Sequence, residues 1–192
     1  MLSHTGYLAV VDFDFIFDLE QAGDPTTATV PDPEGSHSGV TVGHGIDLGQ
    51  LGRERLQRFG LGEATEQKLL PYIGLRGGAA QALLNARPLT LSREEAEALD
   101  YRVYGEIIGT VAHGYNRASS ARWQDILPEA ATVLASVAIQ YGPQLARRTP
   151  KFWQRAVEED YSGMIAVLKD FGDAYRTRRH REAAYLERGL HR

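Results

Sequence analysis

The sequence predicts an α+β fold that is mostly α-helical: two lobes, the smaller carrying a β-hairpin and the larger helical, joined by a long helix. Three observations carry this. Only residues 26–49 combine β-branched side chains with dense turn chemistry, helical periodicity dominates from residue 51 onward, and the strongest helix signal begins at Ser92, near the middle of the chain. With 192 residues the chain is long enough for one substantial domain. The small lobe is expected over about 12–90, with the hairpin over about 26–49, and the helical lobe over about 91–192.

Residues 1–24 are rich in apolar and aromatic side chains and read as helical, with Ala22, Gly23, Asp24 and Pro25 as the stop. Pro31-Asp32-Pro33-Glu34-Gly35-Ser36 is strong turn chemistry. The run from Gly39 to Gly49 then supplies Val40, Thr41, Val42 and Ile46 between glycines, which suits a short antiparallel hairpin bent at those glycines. Ser92 and Glu95 form a capping box ahead of Ala96, Leu99, Val103, Ile107 and Val111, the spacing of one long amphipathic helix. Pro128 stands at a first helical turn, and the segment from Glu129 to Tyr141 is apolar almost all round, as a core helix is. Further helices are expected over Lys151–Glu159, Tyr161–Phe171 and Tyr175–Arg188.

A net charge of -4, from 21 basic and 25 acidic residues, argues against a nucleic-acid binder working by charge. One basic cluster stands out: Arg176, Arg178, Arg179, His180 and Arg181. It reads as the solvated face of a terminal helix, or as an attraction for an anionic polymer. The chain has no cysteine, which excludes disulfides and thiol chemistry. No run of 18 apolar residues exists, so no membrane insertion is expected. The apolar stretch from Tyr7 to Leu19 is interrupted by Asp12, Asp14 and Asp18 and lacks a basic leader, so it does not read as a secretory signal. A protein made in the cytoplasm and carried elsewhere by a dedicated delivery system fits these features.

The chemistry centres on Glu20, at the C-terminal end of the first helical stretch among Phe15, Ile16, Phe17 and Leu19. The negative end of the helix dipole and the apolar neighbours both favour the protonated acid, the form that can protonate a glycosidic oxygen. Taken alone, Glu20 also reads as an exposed helix-end residue. Thr41 and Asp47 lie on the segment expected to fold back over that helix end. A hydroxyl and a second carboxylate opposite a protonated acid are the equipment of inverting glycoside hydrolysis: one group protonates the leaving oxygen and the others hold and deprotonate a water. Each alone reads as an ordinary strand or turn residue.

The run Ser38-Gly39-Val40-Thr41-Val42-Gly43-His44-Gly45-Ile46-Asp47-Leu48-Gly49-Gln50 after Glu20 resembles the catalytic region of pesticin-type muramidase domains, which are similar to phage-type lysozymes. That family uses a Glu, a Thr and an Asp six positions after the Thr, which here are Glu20, Thr41 and Asp47. Leu91–Leu99 resembles the start of the long inter-lobe helix of phage-type lysozymes, and Ala138-Ile139-Gln140-Tyr141-Gly142 resembles the helix end lining their cleft. In ordinary phage lysozymes the Asp instead precedes the Thr by six positions. Gly35 stands at that place here, so Asp32 and Glu34 remain alternatives for the second carboxylate. The stretch from Leu51 to Pro88 is longer than in a minimal phage lysozyme.

The resemblance implies a lysozyme-like fold and a muramidase cleaving the β-1,4 bond between N-acetylmuramic acid and N-acetylglucosamine, with Glu20 as the acid and Asp47, aided by Thr41, activating water. His44 is a candidate for substrate binding or for a hydrogen bond to Asp47; Gln140 and Tyr141 are candidates for lining the sugar cleft. Trp123 and Trp153 read as core residues. The six histidines show no metal-ligand spacing, and no cofactor or metal is expected. Ser36-His37-Ser38 lies on one turn, a poor geometry for a nucleophile and its base. The expected partners are peptidoglycan glycan strands and a cognate immunity protein, with the enzyme a monomer acting in the periplasm or cell wall as an antibacterial toxin. A phage endolysin of the same chemistry, a lytic transglycosylase and a non-catalytic wall-binding module are the rivals.

Overall fold

The computed structural model describes residues 5–20, 23–35 and 37–192. Ala22, read as part of the first helix stop, and Ser36, read in the turn, lie outside the described residues, as do residues 1–4. The architecture is the expected one, helical with a small antiparallel sheet. The chain folds into two compact units, one of residues 20–103 and the other of residues 1–19 with 104–192.

In the unit of residues 20–103, β1 (Thr41–Val42) pairs antiparallel with β2 (Ile46–Asp47), Thr41 opposite Asp47 and Val42 opposite Ile46. Thr29 exchanges two backbone hydrogen bonds with Thr41, at 3.0 and 2.7 Å, so the preceding segment runs along the other edge of β1. A 3-10 turn (Leu48–Gln50) follows β2, then α3 (Arg53–Phe59), α4 (Glu63–Leu69) and α5 (Gly77–Ala86). Val40, Val42, Ile46, Leu48, Leu56 and Leu69 are buried, which matches the alternation of apolar and polar residues along the hairpin.

The long helix α6 (Arg93–Ala118) begins in this unit and continues into the other. Its capping box closes in both directions: Ser92 N–H donates to Glu95 Oε2 at 2.8 Å and Glu95 N–H to Ser92 Oγ at 3.2 Å. Lys68 and the Thr65 hydroxyl also hold the Glu95 carboxylate. The buried stripe runs through Ala96, Leu99, Val103, Ile108 and Val111; Ile108 rather than Ile107 faces inward. Tyr104 is buried as well, four residues before Ile108; each step of four overshoots a full turn by about 40°, so a run of such steps carries Ile107 off the buried face.

The other unit is helical. The first stretch is two helices rather than one, α1 (Thr5–Leu8) and α2 (Phe13–Leu19). Asp12 breaks it: its carboxylate accepts from Phe15 N–H at 2.9 Å, the bond of an N-cap residue. Further along come α7 (Pro128–Tyr141), α8 (Leu145–Arg148), α9 (Pro150–Val157), α10 (Tyr161–Lys169) and α11 (Arg176–Leu190). Residues 129–138 of α7 are all buried, as the all-round apolar pattern predicts. Trp123 is fully buried, donating from Nε1 to Tyr7 O at 3.0 Å, and Trp153 packs edge-on to Tyr115. Among the described residues no helix is long and apolar enough to cross a membrane.

The basic cluster on α11 divides: Arg176, His180 and Arg181 are exposed, as the solvated-face reading expects, whereas Arg178 and Arg179 turn inward. Arg179 is 1% exposed, with Nε on Asp173 at 3.1 Å, Nη1 on Glu182 and its guanidinium over the Phe171 ring at 4.8 Å. Arg178 binds Glu182 and Ser136. These charges are engaged internally, because Glu182 and Ser136 are buried and need partners.

Candidate active site

The hairpin brings Thr41 and Asp47 together. Residues directly opposite on antiparallel strands project to the same face with Cβ atoms about 4.5–5.5 Å apart, and Thr41 and Asp47 are such a pair. Among the described residues the Thr41 hydroxyl makes no hydrogen bond. Asp47 is held firmly: Oδ1 accepts from Gly39 N–H at 2.9 Å and from Gly49 N–H at 2.8 Å, capping the 3-10 turn. Among the described residues its Oδ2 meets only the Gln50 amide, at 3.5 Å, and keeps lone pairs for a water.

Two glycines make this clamp possible. A Cβ on Gly39 would stand 2.5 Å from Leu75 O and 2.6 Å from Gly49 Cα, and one on Gly49 would stand 2.6 Å from Leu75 O. No side chain fits either place, so the strand and the 3-10 turn approach closely enough for both amides to reach one carboxylate oxygen.

His44 sits at the hairpin tip. It is not bonded to Asp47. Its Nδ1 lies 2.6 Å from Asp100 Oδ2 and its backbone N–H donates to Asp100 Oδ1 at 3.0 Å. Asp100, on α6, is fully buried. Burial pushes the Asp100 carboxyl above the usual carboxylate range, against the opposing hydrogen bonds from His44. Gly43, at φ 58°, lets the chain pass over this carboxylate; a Cβ there would stand 2.4 Å from Asp100 Oδ1. The sequence reading misses Asp100. Its signal was present: Asp100 lies four residues after Ala96 and beside Leu99, a lone acid on the buried face of α6.

Glu20 follows the last residue of α2 directly and groups with Thr41 and Asp47 in the same compact unit. Its Oε1 is shielded from solvent. Asp32 and Glu34, the alternatives for the second carboxylate, are exposed in the turn before the hairpin, where Asp32 Oδ1 accepts from Gly35 N–H at 3.0 Å.

Gln140 and Tyr141 end α7 in the other unit. Gln140 Oε1 is buried without a hydrogen-bond partner among the described residues. Tyr141 lines a cavity of about 410 Å³ together with Arg148, Thr149, Lys151 and Phe171. Its hydroxyl donates to Asp173 Oδ2 at 2.5 Å. Burial and this bond push the Tyr141 phenol up to about 12. Burial opposes ionisation of Asp173, but the Tyr141 and Tyr175 hydrogen bonds and the Arg179 charge outweigh it and hold its carboxyl below the usual range.

Residues 10–162 match the family model described as "Pesticin: Bacterial toxin homologue of phage lysozyme, C-term". The match spans α2, the hairpin, α6 and α7. No curated protein matches the chain.

Proposed function

The chain belongs to the pesticin family of phage-lysozyme homologues, and on that footing we propose that it is a muramidase, hydrolysing the β-1,4 bond between N-acetylmuramic acid and N-acetylglucosamine in peptidoglycan. The observation that carries the reading is the cross-strand pair Thr41–Asp47, with the Asp47 carboxylate clamped by the Gly39 and Gly49 amides. A base that must deprotonate a water needs a fixed orientation and one oxygen with open lone pairs, and Asp47 has both. Glu20 serves as the general acid to the leaving oxygen, and Thr41 holds the attacking water beside Asp47 Oδ2. Attack from the face opposite the leaving group inverts the anomeric centre.

His44 acts through the hairpin: tied to Asp100, it fixes the tip between the two strands and takes the role of a positioning residue rather than a sugar ligand. The setting that best fits a family of bacterial toxins is an antibacterial effector delivered to a target cell's wall, with an immunity protein as its natural antagonist.

Product analysis tests the reading. Hydrolysis of purified peptidoglycan in ¹⁸O-water places the label at a new reducing end, and NMR at early times finds the α-anomer first. Anhydro ends would assign a lytic transglycosylase, and binding without release would assign a wall-binding module.

A further inference from the structure

The helix that leads into Glu20 is short. α2 has seven residues and no basic side chain in its last turn, so neither its length nor its own sequence secures its C-terminal end. The end is secured from α11. Arg181 Nη1 donates to the Asp18 backbone carbonyl at 3.4 Å, and Nη2 pairs with the Asp18 carboxylate. A cation bonded to a last-turn carbonyl caps the helix and complements its dipole.

The rest of α2 is held by the same helix. Tyr185, one turn along α11, donates its hydroxyl to Asp12 Oδ2 at 2.8 Å and stacks on Phe15 at 3.9 Å between ring centroids. Asp12, the N-cap, and Phe15 and Asp18 within α2 recur every three residues and thus share one side of the helix from its cap to its last turn. The partners run in reverse order along α11, so the two helices lie antiparallel. α11 begins at Arg176, after the matched residues 10–162, and the family match does not account for this clamp.

We propose that Arg181 is a positioning residue for Glu20: by capping the C-terminal end of α2 it fixes the turn from which the Glu20 carboxyl projects. The inference rests on Glu20 being the acid. A misplacement of 1 Å in a reacting group can cost about 10²-fold in rate, whereas an exposed ion pair adds little to stability. The Arg181 and Asp18 side chains are 43% and 51% exposed. Loss of Arg181 therefore acts on geometry more than on folding.

The test compares wild type, Arg181→Ala and Arg181→Lys on soluble peptidoglycan fragments, with Tm and the Glu20 backbone amide shift by NMR recorded for each. Arg181→Ala is expected to lower kcat by about 10-fold with KM unchanged. Its Tm should stay within about 4 °C of wild type, and the Glu20 amide resonance should move. Arg181→Lys, which keeps the cation at the helix end, should recover most of kcat. A wild-type kcat and an unmoved Glu20 amide in Arg181→Ala would overturn the proposal, as would a loss matched by a collapse in Tm. If the wild type releases no product, the muramidase reading fails by itself, and the amide shift still decides whether Arg181 places Glu20.

Discussion

Asp100 holds His44 by two bonds, one to the ring nitrogen at 2.6 Å and one from the backbone amide at 3.0 Å, and so anchors the tip of a hairpin to the long helix. The turn that His44 occupies separates Thr41 from Asp47 by the six positions that make them cross-strand partners. Removing the carboxylate strips the half-buried His44 ring and backbone amide of their partner. Asp100→Ala is expected to destabilise the protein by about 1–3 kcal/mol, the range for leaving donors without their acceptor. Urea unfolding measures this; a change below about 1 kcal/mol would show that water replaces the carboxylate at little cost.

The glycine pair makes a second prediction. Gly49→Ala would put a Cβ 2.6 Å from Leu75 O and 2.9 Å from Asp47 Oδ1. The backbone must move apart, at a cost of about 1–3 kcal/mol, and the Asp47 clamp opens with it. Clearing of peptidoglycan suspensions should fall by more than the loss in stability alone explains. Gly78→Ala is the control, since a Cβ there meets nothing within 4 Å and the residue lies in α5; it should be neutral or mildly stabilising. Equal behaviour of the two variants would remove the steric argument.

Much of this was legible in the sequence, and the reasons are local. The Ser92–Glu95 box, Pro128 and the apolar run after it are signals that short-range physics reads directly, and each helix starts where they place it. The Thr41–Asp47 opposition follows from a hairpin with a glycine on either side of His44. What escaped depends on partners distant in the chain. Asp12 reads as one of three charges interrupting an apolar stretch, yet it caps α2 and also receives Tyr185 from 173 positions away. Arg178 and Arg179 look like part of a solvated face because nothing local marks Glu182, on the same helix, as buried; it is buried against Ser136, 46 positions away on α7.

Alkaline pH tests the tyrosines. An unfolded phenol ionises near about 10, while Tyr141 and Tyr185 are both pushed up to about 12 by burial and by bonds to the Asp173 and Asp12 carboxylates. Because the folded state retains those protons longer, their stabilisation is complete below pH 10 and is lost as pH rises from there towards 12. Spectrophotometric titration of the folded protein should show a late-ionising fraction among the nine tyrosines. Tyr141→Phe should reduce that fraction by one and flatten the alkaline loss of stability. A single transition near 10 for every tyrosine in the folded protein would contradict this.

Glu20 is the residue on which the proposed hydrolysis depends most directly. Purified wild type and Glu20→Gln are compared for clearing of a peptidoglycan suspension, with far-UV circular dichroism confirming that both are folded. Loss of a general acid typically costs about 10²–10⁴-fold, and Glu20→Gln is predicted to fall in that range. A folded Glu20→Gln protein that clears peptidoglycan at close to the wild-type rate would contradict the assignment of Glu20 as the acid.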